Sequence, residues 1–343
     1  MTEEEIRAML PSISNGLNSL SIASSLLVLS LFTITALFRP DLVNRTTLRL
    51  QVAISAIDFL NSTFALFHHT VKSGPFCIFI GFWRNYGEEI YCFFNIMIAL
   101  NLQLVFIHKK TPSRKWEYFY WGFPITLAAI LSFIPLGMGL YGLNGGDVCF
   151  IKEQLPEGKV LVFVNASLVF FITFLYLIVI ATIVNIKLAR AKSDIDLIAD
   201  NDNIEVNENF RSNLKKMIFR ISLYPIFCIF GLSGFCVSYI NLASGGSRKL
   251  GISIWGMVGV TTKGFFNMIT FFLDTTFQEA FISTYRLLFN KKDVIDHSKE
   301  FDFDLTTKQD GAFISTDTGH PSTLRKQSLD GNDNKPIDLK KYL

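Results

Sequence analysis

Seven stretches of this chain are each long enough to cross a bilayer, and together they hold only five Asp, Glu, Lys or Arg residues. They run Gly16 to Phe38, Leu50 to Val71, Phe76 to Ile107, Tyr118 to Gly146, Val160 to Ile186, Ile221 to Ser247 and Leu250 to Leu273. A helix rising about 1.5 Å per residue needs roughly 20 residues to span the hydrocarbon core, and each stretch exceeds that. The alternative, a soluble all-helical protein, conflicts with Val160 to Ile186, which is uncharged around its whole circumference. Helices at a water interface pair an apolar stripe with a charged face. The sequence therefore predicts an all-α membrane protein, a seven-transmembrane helix bundle.

Basic residues set the orientation. With the amino terminus outside, the cytoplasmic connections and the turn after the last span carry seventeen Lys or Arg, and the outer segments carry six. The positive-inside rule then makes residues 1–15 an extracellular N-terminus and residues 16–273 the membrane domain, with the carboxyl terminus inside. Glu3, Glu4 and Glu5 stand where a cleavable signal would be basic, so the first span is expected to act as its own insertion signal. The formal net charge of +3 comes from basic residues beside the spans, which face anionic lipid and cytoplasmic partners. Nucleic-acid binding has no support.

Three polar elements punctuate this pattern. Residues 187–217 form a cytoplasmic loop whose part from Ser193 to Phe210 carries six acids and no Lys or Arg, and it reads as a solvated linker. Residues 274–292 read as an amphipathic cytoplasmic helix on the inner membrane surface. Thr276 to Glu279 has capping-box spacing, and Phe277, Phe281, Tyr285, Leu288 and Phe289 recur at helical intervals beside Arg286, Lys291 and Lys292. Residues 293–343 are polar and read as a disordered tail, in which Arg325-Lys-Gln-Ser328 makes Ser328 a phosphorylation candidate.

The five cysteines divide by depth. Cys92, Cys228 and Cys236 fall inside spans, where a thiol behaves as a small apolar group. Cys77 at the outer mouth of span three and Cys149 in the outer loop between spans four and five both face an oxidising compartment. A disulfide joining them is expected, the alternative being two unpaired thiols.

An outer amino terminus, seven spans and that Cys pair resemble a G-protein-coupled receptor. The rhodopsin-like signatures are missing: span three ends Leu104-Val-Phe-Ile-His-Lys-Lys110 without Asp-Arg-Tyr, and span seven has no Asn-Pro-x-x-Tyr. In their place stand Cys77-Ile-Phe-Ile-Gly-Phe82, Ile98-Ala-Leu-Asn-Leu102, Tyr141-Gly ahead of Cys149-Phe150, Arg220-Ile-Ser-Leu-Tyr-Pro225, and Gly264-Phe-Phe-Asn267 through Asp274. This pattern, over residues 15–290, resembles the fungal receptors related to slime-mould cyclic-AMP receptors and to the fungal glucose-sensing receptors. Phe150, where that family would have Trp, and the ionisable Lys263 depart from it. The resemblance implies a plasma-membrane, multi-pass receptor that carries an extracellular nutrient-like or cyclic-nucleotide-like signal to a heterotrimeric G protein, toward cAMP signalling. It implies no cofactor and no catalysis.

The intramembrane charges are Asp58, Arg84, Glu88, Glu89 and Lys263. At the α-helical rise, Asp58, the two glutamates and Lys263 all lie about 17–19 Å in from the outer helix ends, in one layer. A charge at a helix centre costs about 2.5–3.5 kcal/mol on insertion scales, so pairing is expected: Lys263 with Glu88, Glu89 or Asp58, and Arg84 with Glu88 one turn away. The layer either fixes helices in register or serves as a switch. Pro225 is a candidate hinge in span six, whose movement would open a cleft lined by Lys215, Lys216 and Arg220. Together with Lys109, Lys110, Arg114 and Lys115 these form the expected G-protein contact. Phe82, Trp83, Tyr86, Tyr239 and Trp255 are candidates for an outer pocket. Arg84 and Lys263 suit an anion, whereas Asp58 and the glutamates suit a cation or sugar hydroxyls, and the sequence does not choose.

Two other readings use the same residues. Lys263 with carboxylates on span three suggests a retinal photoreceptor, since a Schiff base needs such a lysine. Buried carboxylates also suit a proton-coupled transporter. Enzymatic function has no support, because there is no metal-ligand spacing, nucleophile elbow or phosphate loop, and His68-His69 reads as a polar interface feature.

Overall fold

A computed structural model describes residues 3–43, 45–67, 70–71, 73–108, 110, 114–144, 148–152, 154–202, 226–227, 229–234, 236–237, 240 and 250–289. The first long helix, α1 (Glu3–Phe38), is followed by the one-turn α2 (Pro40–Val43) and by α3 (Thr46–Leu66). The next, α4 (Pro75–Leu102), starts where two backbone preferences meet. Gly74 adopts φ +93°, open to glycine, and Pro75 follows at a helix start where its missing N–H is no loss. α4 runs on into a π-helical turn at Gln103–Ile107.

α5 (Arg114–Gly137) leads into a two-stranded hairpin, β1 (Tyr141–Asn144) and β2 (Val148–Ile151), antiparallel with Tyr141 opposite Ile151 and Leu143 opposite Cys149. Then come α6 (Pro156–Val162), a second π turn at Phe163–Leu168, and α7 (Val169–Asp202). Residues 226–227, 229–234, 236–237 and 240 are helical. The chain continues with α8 (Leu250–Thr261), α9 (Lys263–Phe272) and α10 (Thr275–Phe289).

Four helical segments among the described residues are long and apolar enough to cross a membrane: Met9–Phe38, Pro75–Val105, Lys115–Gly137 and Pro156–Lys187. That is fewer than the seven expected. α3 falls short because Gln51, Ser55, Asp58, Asn61 and Ser62 interrupt its apolar run. The expected last span is divided at Thr262 into helices of 12 and 10 residues. The sixth stretch lies largely outside the described residues.

The distribution of side chains is that of a protein in lipid. Ile125, Ile130, Phe133 and Ile134 on α5, and Phe171, Ile172, Leu175 and Val179 on α7, are exposed, while Asn18, Ser21, Ser25, Gln51, Ser55, Asp58, Glu88 and Glu89 are buried. Water would penalise that arrangement twice, through the apolar surface and through the buried polar groups. Inside, α4 is the central element. Its Ile90, Phe94, Met97 and Ile98 form one core with Leu50 and Ile54 of α3, Tyr120 and Ala128 of α5, and Phe170 and Leu177 of α7. A second core joins Val28, Leu48, Phe271 and Phe277.

Residues 231–234 meet α8 backbone to backbone. A Cβ at Gly234 would stand 2.6 Å from the Gly256 nitrogen, and one at Gly259 would stand 2.6 Å from the Gly231 carbonyl oxygen. Only glycine lets membrane helices approach so closely.

Three boundaries differ from the sequence reading. The fourth stretch does not continue as helix to Gly146: α5 stops at Gly137, Gly139 turns with φ +68°, and Tyr141–Asn144 pairs as a strand. Hydropathy cannot distinguish an apolar strand from the end of a span. α7 continues to Asp202, so the first ten residues of the acidic segment 193–210 are helical. α10 begins at Thr275, with the Phe277 N–H donating to Asp274 Oδ1 (3.3 Å); Asp274 is thus the N-cap in place of Thr276. The tail 293–343, with Ser328, lies outside the described residues.

Candidate functional site

α4 carries two adjacent glutamates, and successive helical residues point about 100° apart. The fold uses both directions. Glu88 faces α9, where Lys263 Nζ is ion-paired with its Oε2. Both are buried, at 7 % and 4 % exposure, and the ammonium also lies 4.5 Å from the centre of the Tyr91 ring. Charge and aromatic face together stabilise a cation away from water. Lys263 reaches this position because it is the first residue of α9, just past the interruption at Thr262.

Glu89 faces α5. Its Oε1 accepts from Asn85 Nδ2 (2.9 Å) and its Oε2 from Ser132 Oγ (3.0 Å), and Asn85 Nδ2 also donates to Ser132 Oγ (3.1 Å). The β1–β2 hairpin joins this network, since Tyr141 Oη donates to the Ser132 carbonyl (3.1 Å). Burial, and more weakly the Glu89 carboxyl, push the Tyr141 hydroxyl above its ordinary range, so it stays a donor at neutral pH.

A small cavity opens between these elements, lined by Arg84, Asn85, Glu88, Glu89, Phe150, Asn165 and Phe170. Its volume is about 10 Å³, room for one water molecule. The hairpin contributes Phe150 to its wall. Phe150 of β2 lies 5.8 Å beneath the Arg84 guanidinium, and Cys149 beside it is disulfide-bonded to Cys77 in the first turn of α4, with Cα atoms 5.2 Å apart. The second π turn supplies Asn165, whose Nδ2 donates to the Leu131 carbonyl of α5 (3.2 Å). π turns recur at functional sites because they rotate a side chain out of helical register.

Of the residues singled out in the sequence, Arg84, Glu88 and Glu89 meet at this cavity, and Lys263 is held by Glu88. Asp58 is buried on α3 at 2 % exposure, and its Oδ2 has no hydrogen-bond partner among the described residues. Phe82, Trp83 and Tyr86 are not among the lining residues. They form an aromatic ladder along the amino-terminal half of α4, with Trp83 against Phe64 and Phe79, and Phe82 against Tyr86, Phe133 and Tyr141. Trp255 is 40 % exposed on α8. Lys110 and Lys115 are exposed, and Arg114 opens α5. Pro225, Tyr239, Lys109, Lys215, Lys216, Arg220, Cys228 and the His68-His69 pair lie outside the described residues.

The sequence reading did not single out Asn85, Ser132, Asn165, Phe170 or Tyr91. The available signal was Asn85 four residues before Glu89, which puts an amide and a carboxylate on one helix face. Nothing local marked Ser132 or Asn165. No protein-family model and no curated protein matches this sequence.

Proposed function

We propose that this chain is a G-protein-coupled receptor of the kind that its motifs resemble. It would pass through the plasma membrane seven times with its amino terminus outside, taking a small-molecule signal from outside to a heterotrimeric G protein inside. The observation that carries this reading is the buried Lys263–Glu88 pair, set between α4 and α9 beneath a disulfide-pinned hairpin. A receptor needs an element whose equilibrium an outer ligand can bias, through contacts that differ between two states. An ion pair joining two helices next to an outer cavity is such an element.

The cavity of about 10 Å³ is far smaller than a ligand pocket, so this conformation is read as the resting one. A ligand entering from outside would displace Phe150 from Arg84 and reach the glutamates.

The test is reconstitution with a panel of Gα subunits, measuring nucleotide exchange as sugars, cyclic nucleotides, amino acids and lipids are added. Ligand-dependent exchange with one Gα supports the reading. Failure with every Gα, together with substrate flux in liposomes, replaces it with a transporter. A lysine beside a carboxylate also matches a Schiff-base site, and a visible absorbance band on adding retinal would favour a photoreceptor instead.

A further inference from the structure

The second π turn, Phe163–Leu168, joins α6 to α7 and carries part of the cavity wall. A π turn holds one residue more than the α-helical turn it replaces, so its flanks keep their facing while the surplus is stored between them. Asn165 lies inside this turn and Phe170 two residues past its end, and both line the cavity. The two flanks are held unequally. On the amino-terminal side, α6 is seven residues long and buries Gly158 and Val162, with Val160 exposed. On the carboxyl-terminal side, Tyr176 Oη donates to Gln103 Oε1 (2.8 Å) and Lys187 Nζ to the Ile107 carbonyl (3.2 Å). These bonds fasten α7 to the π turn that ends α4.

Ser167 shows that the observed turn has a local competitor. The residue is 2 % exposed, and its Oγ has no hydrogen-bond partner among the described residues. On the same helix, Thr173 and Thr182 donate to the carbonyls four residues earlier, those of Val169 and Ile178, each at 2.8 Å. In an α-helical turn the Phe163 carbonyl would offer Ser167 the same bond, and in the π turn no such bond forms. A buried hydroxyl left unpaired is costly, so a register that carries the surplus elsewhere gains a bond that this one lacks.

We propose that the π turn migrates by about one helical turn toward the carboxyl end of α7, and that this migration opens the cavity. The residues between its old and new positions, Ser167 to Phe170, turn by about 100°, the angle of a single residue. Ser167 gains the Phe163 carbonyl. Phe170, 1 % exposed where it lines the cavity, swings off the wall, and its ring leaves behind the space that a small organic ligand needs. Neither α6 nor the fastened part of α7 has to move. A ligand that fits only the open register draws the chain into it. The inference deepens the receptor reading by supplying the movement that admits a ligand, and only its consequence for the G protein rests on that reading.

The experiment is amide hydrogen exchange on the purified full chain, read by mass spectrometry with no ligand or G protein present. A migrating turn breaks and remakes its backbone bonds, so amides 164–172 should exchange about tenfold or more faster than amides 174–184 of the same helix. Ser167→Ala removes the unpaired hydroxyl and favours the observed register, and should slow exchange at 164–172 about fivefold or more while leaving 174–184 unchanged. Deleting Ala166 removes the surplus itself. That chain should fold, with 164–172 as protected as its flank, whereas deleting Ile180 from regular helix turns everything beyond it by about 100° and should abolish folding. Equal protection of the two segments in the unaltered chain would overturn the proposal, as would unchanged exchange in Ser167→Ala. Should the Ala166 deletion fail to fold, those two comparisons still decide. Exchange as expected, with no Gα responding to any compound, keeps the movable turn and removes the receptor reading; ligand-dependent nucleotide exchange with a fully protected turn does the reverse.

Discussion

Lys263→Met removes the ammonium and leaves Glu88 buried at 7 % exposure with its main cationic partner gone. Breaking a buried pair from one side costs about 3–5 kcal/mol, because the remaining charge loses its compensation. The contact with Tyr91 adds about 0.5–2 kcal/mol to what the lysine contributes. In a bilayer the stranded charge alone is worth about 2.5–3.5 kcal/mol on insertion scales, which agrees with the lower part of that range. Glu88→Gln strands the ammonium and should cost a similar amount. The double variant leaves neither charge, and a methionine beside a glutamine at this seam should lie within about 1–2 kcal/mol of the unaltered protein. The cycle therefore predicts a coupling energy of about 3 kcal/mol or more, read as unfolding midpoints of the four proteins in one detergent. If the single losses simply add in the double variant, the two side chains do not act on each other and the latch is refuted. Nucleotide exchange on the same four proteins separates a latch from a strut: a latch raises ligand-independent exchange when broken, and a strut lowers stability alone.

Other consequences can be checked in the same preparations. Cys77 and Cys149 lie 72 residues apart, and closing such a loop is worth up to about 4 kcal/mol in the chain-entropy account, less where inserted helices persist on unfolding; Cys149→Ser should lower the midpoint and change non-reducing mobility. Gly234→Ala and Gly259→Ala each put a methyl 2.6 Å from backbone that cannot yield and should cost about 1–3 kcal/mol, whereas Gly122→Ala, with open space around it, should be neutral or slightly stabilising. Tyr141→Phe should cost about 1 kcal/mol through the lost hydrogen bond to Ser132. Because the folded hydroxyl is held above its unfolded value of 10.0, its contribution is fully present below that pH and is lost as pH rises toward the folded value. Unaltered protein should therefore lose more stability than Tyr141→Phe in alkali, and parallel pH curves would show that the hydroxyl is not buried.

The helices were legible because their apolar runs are long and nearly free of charge, and the depth of the charged residues followed from arithmetic on helical rise. That arithmetic put Lys263 and Glu88 at one level, but which glutamate takes the lysine depends on the rotation of α4 about its axis, set by packing against three neighbours. The hairpin was hidden because Leu140, Tyr141 and Leu143 read as the tail of an apolar helix; glycine geometry at Gly139 and pairing with Val148–Ile151 overrode that pattern. The division at Thr262 left no trace in composition, since threonine and lysine are both tolerated inside helices, and only the backbone shows one helix ending at Thr261 and the next starting at Lys263. Ser132 and Asn165 come from different helices than the glutamates, and only the folded chain brings them together.

The divergent headings of Glu88 and Glu89, about 100° apart, constrain how this bundle can move. One residue grips α9 and the next grips α5, while Asn101, farther along, holds Thr47 of α3 at 3.0 Å. Twisting α4 would tear all three attachments at once, whereas tilting α9 or sliding α5 sacrifices one. Rearrangement is thereby steered to the periphery, and the central rod acts as a stationary axle against which its neighbours shift.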